Sequence, residues 1–433
     1  MSVDGRSDPP PLPPGRWDQP RRRSVFVAAV GLATTAAAIR LGWRLAKPTM
    51  AAPDLPATWQ IGGASMAPTL LGHHVELTCE ACGVRWPVHW QANLRPRGPV
   101  TCWNCGARVP IGLAVPKAGT AVTLVSRQFD PRPPLTGELV VIDPPLPTDT
   151  NRSGPGEISR FTGAGTSLGA ASRWAVKRVV ATAGQQLSHH AGVLLVDGRP
   201  IAERLAQAAA DHPDRVDRPL DILVHDDRHR PGATPSRWRP LAGSAPPIAV
   251  DADGFRLRAQ QHDKNWVPSA WLAYHHLAVH DGLRPDVIRD DFPSNATEVR
   301  ALQPVDRLSL RLRVNAAAGG TVQVLFRLAG QPRATIRTWP AGSCRLDFDS
   351  ASGEAWSGDV SDFPQPDSAP TPIAIRILTG EAKISGLVIR RPLQYRIEAA
   401  DAVKWTWPLR LSEGQFYVLG DNVPLSIDSR QFG

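Results

Sequence analysis

The sequence predicts a mainly β protein with one N-terminal transmembrane helix, a small zinc-ribbon insertion and an inserted β-sandwich domain. Three observations predict it. From about residue 295 to 392, apolar and polar positions alternate in short runs separated by glycine-rich turns, the pattern of several strands with one buried face. Proline is abundant, at 43 residues, and tyrosine is scarce, at 3, which favours loops and edge strands over long helices. Only one stretch of the 433 residues approaches the ~20 apolar residues that span a bilayer. The chain is long enough to bury a sizeable core in more than one domain.

Residues 1–23 are polar and proline-rich and predict a disordered cytoplasmic tail ending in Arg21-Arg22-Arg23. The apolar run from Val25 to Ile39 then predicts a membrane anchor over 24–46. Arg40 near its end can snorkel to the interface, where Trp43 also sits naturally. A cleaved signal peptide is the alternative, since basic residues before an apolar core fit that too. The expected location is the inner (plasma) membrane, single-pass, with the rest of the chain on the extracytoplasmic side. The net charge of +9 is nearly all arginine, scattered among acids without a lysine-rich tract. That pattern argues against nucleic acid as a partner and suits membrane lipid.

Within residues 76–117, Cys79-x-x-Cys82 and Cys102-x-x-Cys105 are each followed by glycine. Two such turns supply four thiolates in tetrahedral array around a structural zinc. Two disulfides are the alternative in an oxidising compartment. Cys344 stands alone in an expected strand and reads as a buried small apolar residue.

Three segments carry chemistry. Gly62-Gly63-Ala64-Ser65-Met66-Ala67-Pro68-Thr69-Leu70 follows an extended run and can hold a serine hydroxyl on a turn. Arg173-Trp174-Ala175-Val176-Lys177-Arg178-Val179-Val180 reads as a half-buried strand with Lys177 among apolar neighbours. Desolvation lowers a lysine pKa from about 10.4 toward neutrality, which makes the amine a usable base. The segment from Phe416 to Gly433 is an apolar strand, a Gly420-Asp421-Asn422 turn and a polar loop with Ser426, Asp428, Ser429 and Arg430. Ser426 can orient a lysine amine, and Asp428 with Arg430 can clamp the loop. Each segment taken singly is equally an ordinary turn, surface lysine or solvated charge cluster.

In this order the three resemble type I signal peptidases, serine-lysine peptidases whose pattern runs S-M-x-P-T-L, then K-R-V, then G-D-N-x-x-x-S-x-D-S-R-x-x-G. Gly137-Glu138-Leu139-Val140-Val141 is similar to a further family strand. The resemblance implies a signal-peptidase-type β catalytic core in three pieces, at 53–75, 118–202 and 396–433. It implies Ser65 as nucleophile, Lys177 as general base, Ser426 as the hydroxyl orienting the lysine, and Asp421, Asp428 and Arg430 as supports. It implies preprotein signal peptides as substrates, bound as an extended strand between walls near Thr58–Gly62 and Arg173–Val176. Gly63, Met66, Trp174, Ala175 and Val176 are the expected contacts. No cofactor is needed for catalysis. Two positions depart from the pattern: the turn after the lysine is Ala181-Thr182-Ala183-Gly184-Gln185, and residue 63, a hydroxyl residue in some members, is glycine.

Residues 203–264 read as a polar loop or linker, and 265–395 as the sandwich-like insertion. Leu308, Leu310, Leu312 and Val314 share one face; Val322, Val324, Phe326 and Ile373, Ile375, Ile377 repeat the scheme. The histidines at 275, 276 and 280 favour aromatic core packing over a metal site. The insertion can bind a partner, a glycan or nothing beyond the protease. A self-cleaving regulator of the repressor type would need a DNA-binding domain and no anchor. A catalytically inactive membrane scaffold using the knuckle and the sandwich is the remaining alternative.

Overall fold

A computed structural model describes residues 57–90, 98–112, 115–124, 132–142, 158–160, 174–217, 221–227, 237–241, 248–251, 253–296, 301–316, 320–329, 334–342, 344–352, 354–355 and 371–432. The expected tail at 1–23 and anchor at 24–46 lie outside them. Among the described residues, no helix is long and apolar enough to cross a membrane. The fold is mainly β, as the alternation predicts.

Two small antiparallel sheets position the chemical segments. Ala57–Ile61 is the middle strand of one, between Ala121–Leu124 and Ile158–Arg160. Ala175–Thr182 is the middle strand of the other, between Leu139–Ile142 and Phe416–Leu419. The two meet at an apolar cluster of Ile61, Met66, Leu70, Ala175 and Val176. The Ala175–Thr182 strand is buried on both faces, not one, through to Ala181. Its periodicity misleads because Lys177 and Arg178, the polar positions, are covered by the closing loop rather than by water. A third sheet of Gln186–His190, Val193–Val196, Arg199–Pro200 and Leu409–Arg410 completes this part.

The four cysteines sit at the tips of two hairpins. Cys79 and Cys82 turn the chain between His74–Thr78 and Arg85–His89, and Cys102 and Cys105 between Val100–Thr101 and Arg108–Val109. Gly83 and Gly106 take positive φ, +74° and +83°, which an L side chain rarely adopts. The Val84 and Ala107 amides, set by those turns, bond to the neighbouring sulfurs of Cys82 and Cys105. Val75, Leu77, Trp86, Val88 and Val109 form the core beneath.

Among the described residues, most of the remaining strands build two six-stranded sheets that enclose one apolar core. Leu308, Leu310, Leu312 and Val314 from one sheet pack with Val322, Val324, Phe326, Ile373, Ile375 and Ile377 of the other. The 203–264 stretch, expected as linker, is instead structured wherever it is described. It contributes most of the helix Ile201–Asp211 and the strands Ile222–Asp226, Trp238–Pro240, Ala249–Asp251 and Gly254–Arg258. Ile201 and Leu205, one helical turn apart, are buried. Ile222–Asp226 and Gly254–Arg258 pair with the longer Glu381–Arg391, and Trp238–Pro240 with Leu272–Tyr274, so their stability is not local and their proline-rich surroundings hide them. Cys344, expected to be buried, is exposed, because its strand Cys344–Asp349 is an outer strand of its sheet. Of the residues around the histidines, Trp271 and Tyr274 are buried.

Candidate active site

Lys177 lies on the middle strand of its sheet and is 2% exposed. Its Nζ donates to Ser426 Oγ at 2.8 Å, the one hydrogen-bond partner it has among the described residues. An ammonium brings three donors, and leaving buried donors unmet is costly. Burial pushes the Lys177 amine down to about 8; Asp428 and Asp421 oppose that shift and Arg430 adds to it.

The loop after Phe416–Leu419 is built from buried polar groups whose partners are all intramolecular. Asp428 and Arg430 form a forked ion pair with both N···O distances at 2.8 Å. Asp428 also accepts the Gly420 amide at 2.9 Å, and Arg430 donates to the carbonyls of Val423 and Ser426. Asp421 is fully buried and paired with Arg178, at 2.9 and 2.7 Å. The Tyr395 hydroxyl donates to Asp421 at 2.7 Å, and Thr69 of the serine turn donates to its other oxygen. Asp421 therefore ties together the lysine strand, the closing loop and the serine turn. Buried charges persist only when paired and hydrogen-bonded in this way.

Ser65 is half-buried on a turn closed by Ala67 N–H donating to the Ala64 carbonyl at 3.0 Å. Its own carbonyl accepts the Asn422 amide at 3.0 Å. Gly420 explains how close the two loops come. A Cβ there would sit 2.1 Å from Ser426 Oγ and 2.5 Å from the Ser65 carbonyl oxygen. The structure thus brings Ser65, Ser426 and Lys177 around one glycine. Among the described residues no hydrogen bond joins Lys177 directly to Ser65.

Of the expected contact residues, Met66 is fully buried and packs with Ala175 and Val176, while Trp174 is 43% exposed. Gly63 is buried against the turn that begins the knuckle, where the His73 amide donates to the Gly62 carbonyl at 3.0 Å. The Ala57–Ile61 strand carries partners on both edges. On the other wall, Phe416–Leu419 pairs only from Arg178 onward, so that edge of Ala175–Lys177 has no strand partner among the described residues. Arg178, Tyr395, Asn422 and Thr69 were missed as site residues. Thr69, Arg178 and Asn422 stand inside the three motifs, but nothing local marks Tyr395.

The four cysteine sulfurs lie within 4.8 Å of one another. Cys79 and Cys105 are 3.5 Å apart, and Cys82 and Cys102 3.8 Å apart. A tetrahedral zinc with Zn–S of about 2.3 Å requires sulfurs about 3.8 Å apart, whereas a disulfide requires about 2.05 Å. The cluster fits a metal ion, and its ligands are all sulfur. Among the described residues the histidines form no comparable group.

Residues 55–235 match the family model described as signal peptidase, peptidase S26, consistent with a type I signal peptidase. No curated protein and no solved structure matches the chain.

Proposed function

With a signal peptidase, peptidase S26, segment over residues 55–235 as premise, we propose that this protein is a membrane-bound signal peptidase I that cleaves preproteins with a Ser65–Lys177 dyad. The observation that carries the reading is the buried Lys177 amine, bonded at 2.8 Å to Ser426 of the same loop whose Asn422 grips Ser65. The neutral amine takes the Ser65 proton as the hydroxyl oxygen attacks the scissile carbonyl. The tetrahedral intermediate collapses to an acyl-enzyme as Lys177 returns that proton to the leaving amine. Water then adds to the acyl carbon, Lys177 again taking its proton, and Ser65 is released. Ser426 keeps the amine directed, while Asp428 and Arg430 hold Ser426 in place. The Ser65 amide donates to the oxyanion, since Gly63 offers no hydroxyl.

The substrate lies extended along the open edge of Ala175–Lys177, where backbone pairing supplies affinity. The small and apolar residues there admit small side chains such as the A-x-A of a signal peptide. The four cysteines hold one structural zinc with no open position for catalysis. The two six-stranded sheets form a sandwich-like insertion. The anchor at 24–46 keeps the site at the outer face of the membrane, where preproteins emerge.

Purified full chain in detergent should cleave a peptide bearing A-x-A. Ser65→Ala and Lys177→Ala should each abolish cleavage, a loss of at least about 10³-fold. Cleavage that persists in both variants refutes the dyad. A folded, metal-loaded wild type that cleaves nothing favours the scaffold instead.

A further inference from the structure

We propose that Asn295, a residue of the inserted half of the chain, positions the nucleophile, so that the insertion is part of the proteolytic machinery. The inference rests on the reading of Ser65 as nucleophile. Asn295 is 0% exposed and closes the short turn Pro293–Asn295. Its amide pairs reciprocally with that of Asn422, each Nδ2 donating to the other's Oδ1 at 2.8 Å. Asn422 in turn holds the two carbonyls at the nucleophile: its Nδ2 donates to Ala64 O at 2.9 Å and its backbone N to Ser65 O at 3.0 Å.

This arrangement uses both hydrogens of the Asn422 amide and at least one lone pair of its oxygen. A lone Asn422 could turn its amide over and set oxygen against the Ala64 carbonyl. Paired with Asn295, that flip would also place nitrogen against nitrogen, so Asn295 locks the orientation that grips the serine turn. Asn295 is itself firmly held. Its backbone N–H donates to Phe292 O at 2.9 Å, and Phe292 belongs to the same apolar cluster as Leu419 and Val423 of the catalytic loop. Arg391 stacks over Phe292 at 4.9 Å and donates to Asp291 O at 2.7 Å. The turn also lies against Arg85–His89, the knuckle strand. Three parts of the chain thus converge on one amide pair beside Ser65.

The test is steady-state cleavage of an A-x-A peptide by full-length wild type, Asn295→Ala, Asn295→Asp, Asn422→Ala and the Asn295→Ala/Asn422→Ala double variant, with melting curves for each. Asn295→Ala should lower kcat about 10- to 100-fold with KM unchanged and the pH dependence still centred where Lys177 titrates. Asn295→Asp, matched in shape but accepting equally from either orientation of the Asn422 amide, should lose a similar amount, and carries the test if the alanine variant does not fold. Adding Asn295→Ala to Asn422→Ala should cost little more, because the first acts through the second. Unchanged kcat per folded molecule, or full additivity in the double variant, overturns the proposal while the dyad stands. An inert but folded wild type overturns the dyad and this inference together.

Discussion

Lys177 defines the chemistry available to this molecule. Holding its amine at about 8 rather than 10.5 disfavours the charged form by roughly 3 kcal/mol, a penalty that is full below pH 8, shrinks as the pH rises from 8 to 10.5 and is gone above that. Burial is the first cause, so the shift survives only while the closing loop covers the strand. As the proposed base, Lys177 must be unprotonated to work. Cleavage measured as kcat/KM should therefore climb about tenfold per pH unit below 8 and level off above it. A profile flat from pH 6 to 9 would mean that another group carries the proton. Ser426 was legible in the sequence through its motif, yet its bond to Lys177 spans 249 positions and exists only in the folded chain. Met66 shows the reverse: its motif marks it as a neighbour of substrate, and the structure packs it wholly inside.

At the scale of elements, the site is an approach of two loops and one strand. Gly420 is where they touch, and its constraint is space: a methyl group there meets Ser426 and the Ser65 carbonyl at once. Gly420→Ala should reduce kcat by about 10²-fold or more while the two six-stranded sheets remain folded. Peptide cleavage together with circular dichroism checks this, and near-wild-type turnover would show that the loops have slack. The sequence displayed each of these elements as a motif. It did not display Tyr395, whose hydroxyl reaches Asp421 from a segment without any motif, nor Asn295. Buried polar partners so distant in sequence leave no periodic trace, since pairing follows from the packing of other elements. The strands within 203–264 escaped for a related reason. They are short, and the partners that stabilise them lie up to some 170 positions away in Glu381–Arg391.

Across the whole molecule, the cysteine knuckle touches both the serine turn and one of the six-stranded sheets. Its first strand starts beside the turn, and its second tip docks through Asn104, which exchanges hydrogen bonds with the Asp226 backbone at 2.7 and 2.8 Å. A metal ion held by the four sulfurs would therefore stabilise more than the knuckle. The purified protein should hold one zinc per chain. Its removal by a strong chelator, or Cys82→Ser, should lower the melting temperature and turnover together. Elemental analysis and melting curves measure this, and a zinc-free preparation of full stability would exclude the metal.

The sequence by itself determined the mainly β class, the cysteine quartet and the three motifs with their order, because strand alternation, metal-ligand spacing and turn chemistry are local properties. Tertiary structure alone decided that Lys177 is dry, that Asp421 joins three segments, and that Asn295 pairs with the Asn422 that holds the serine turn. Those facts depend on which distant surfaces exclude water from each other, and no local pattern of residues encodes that choice.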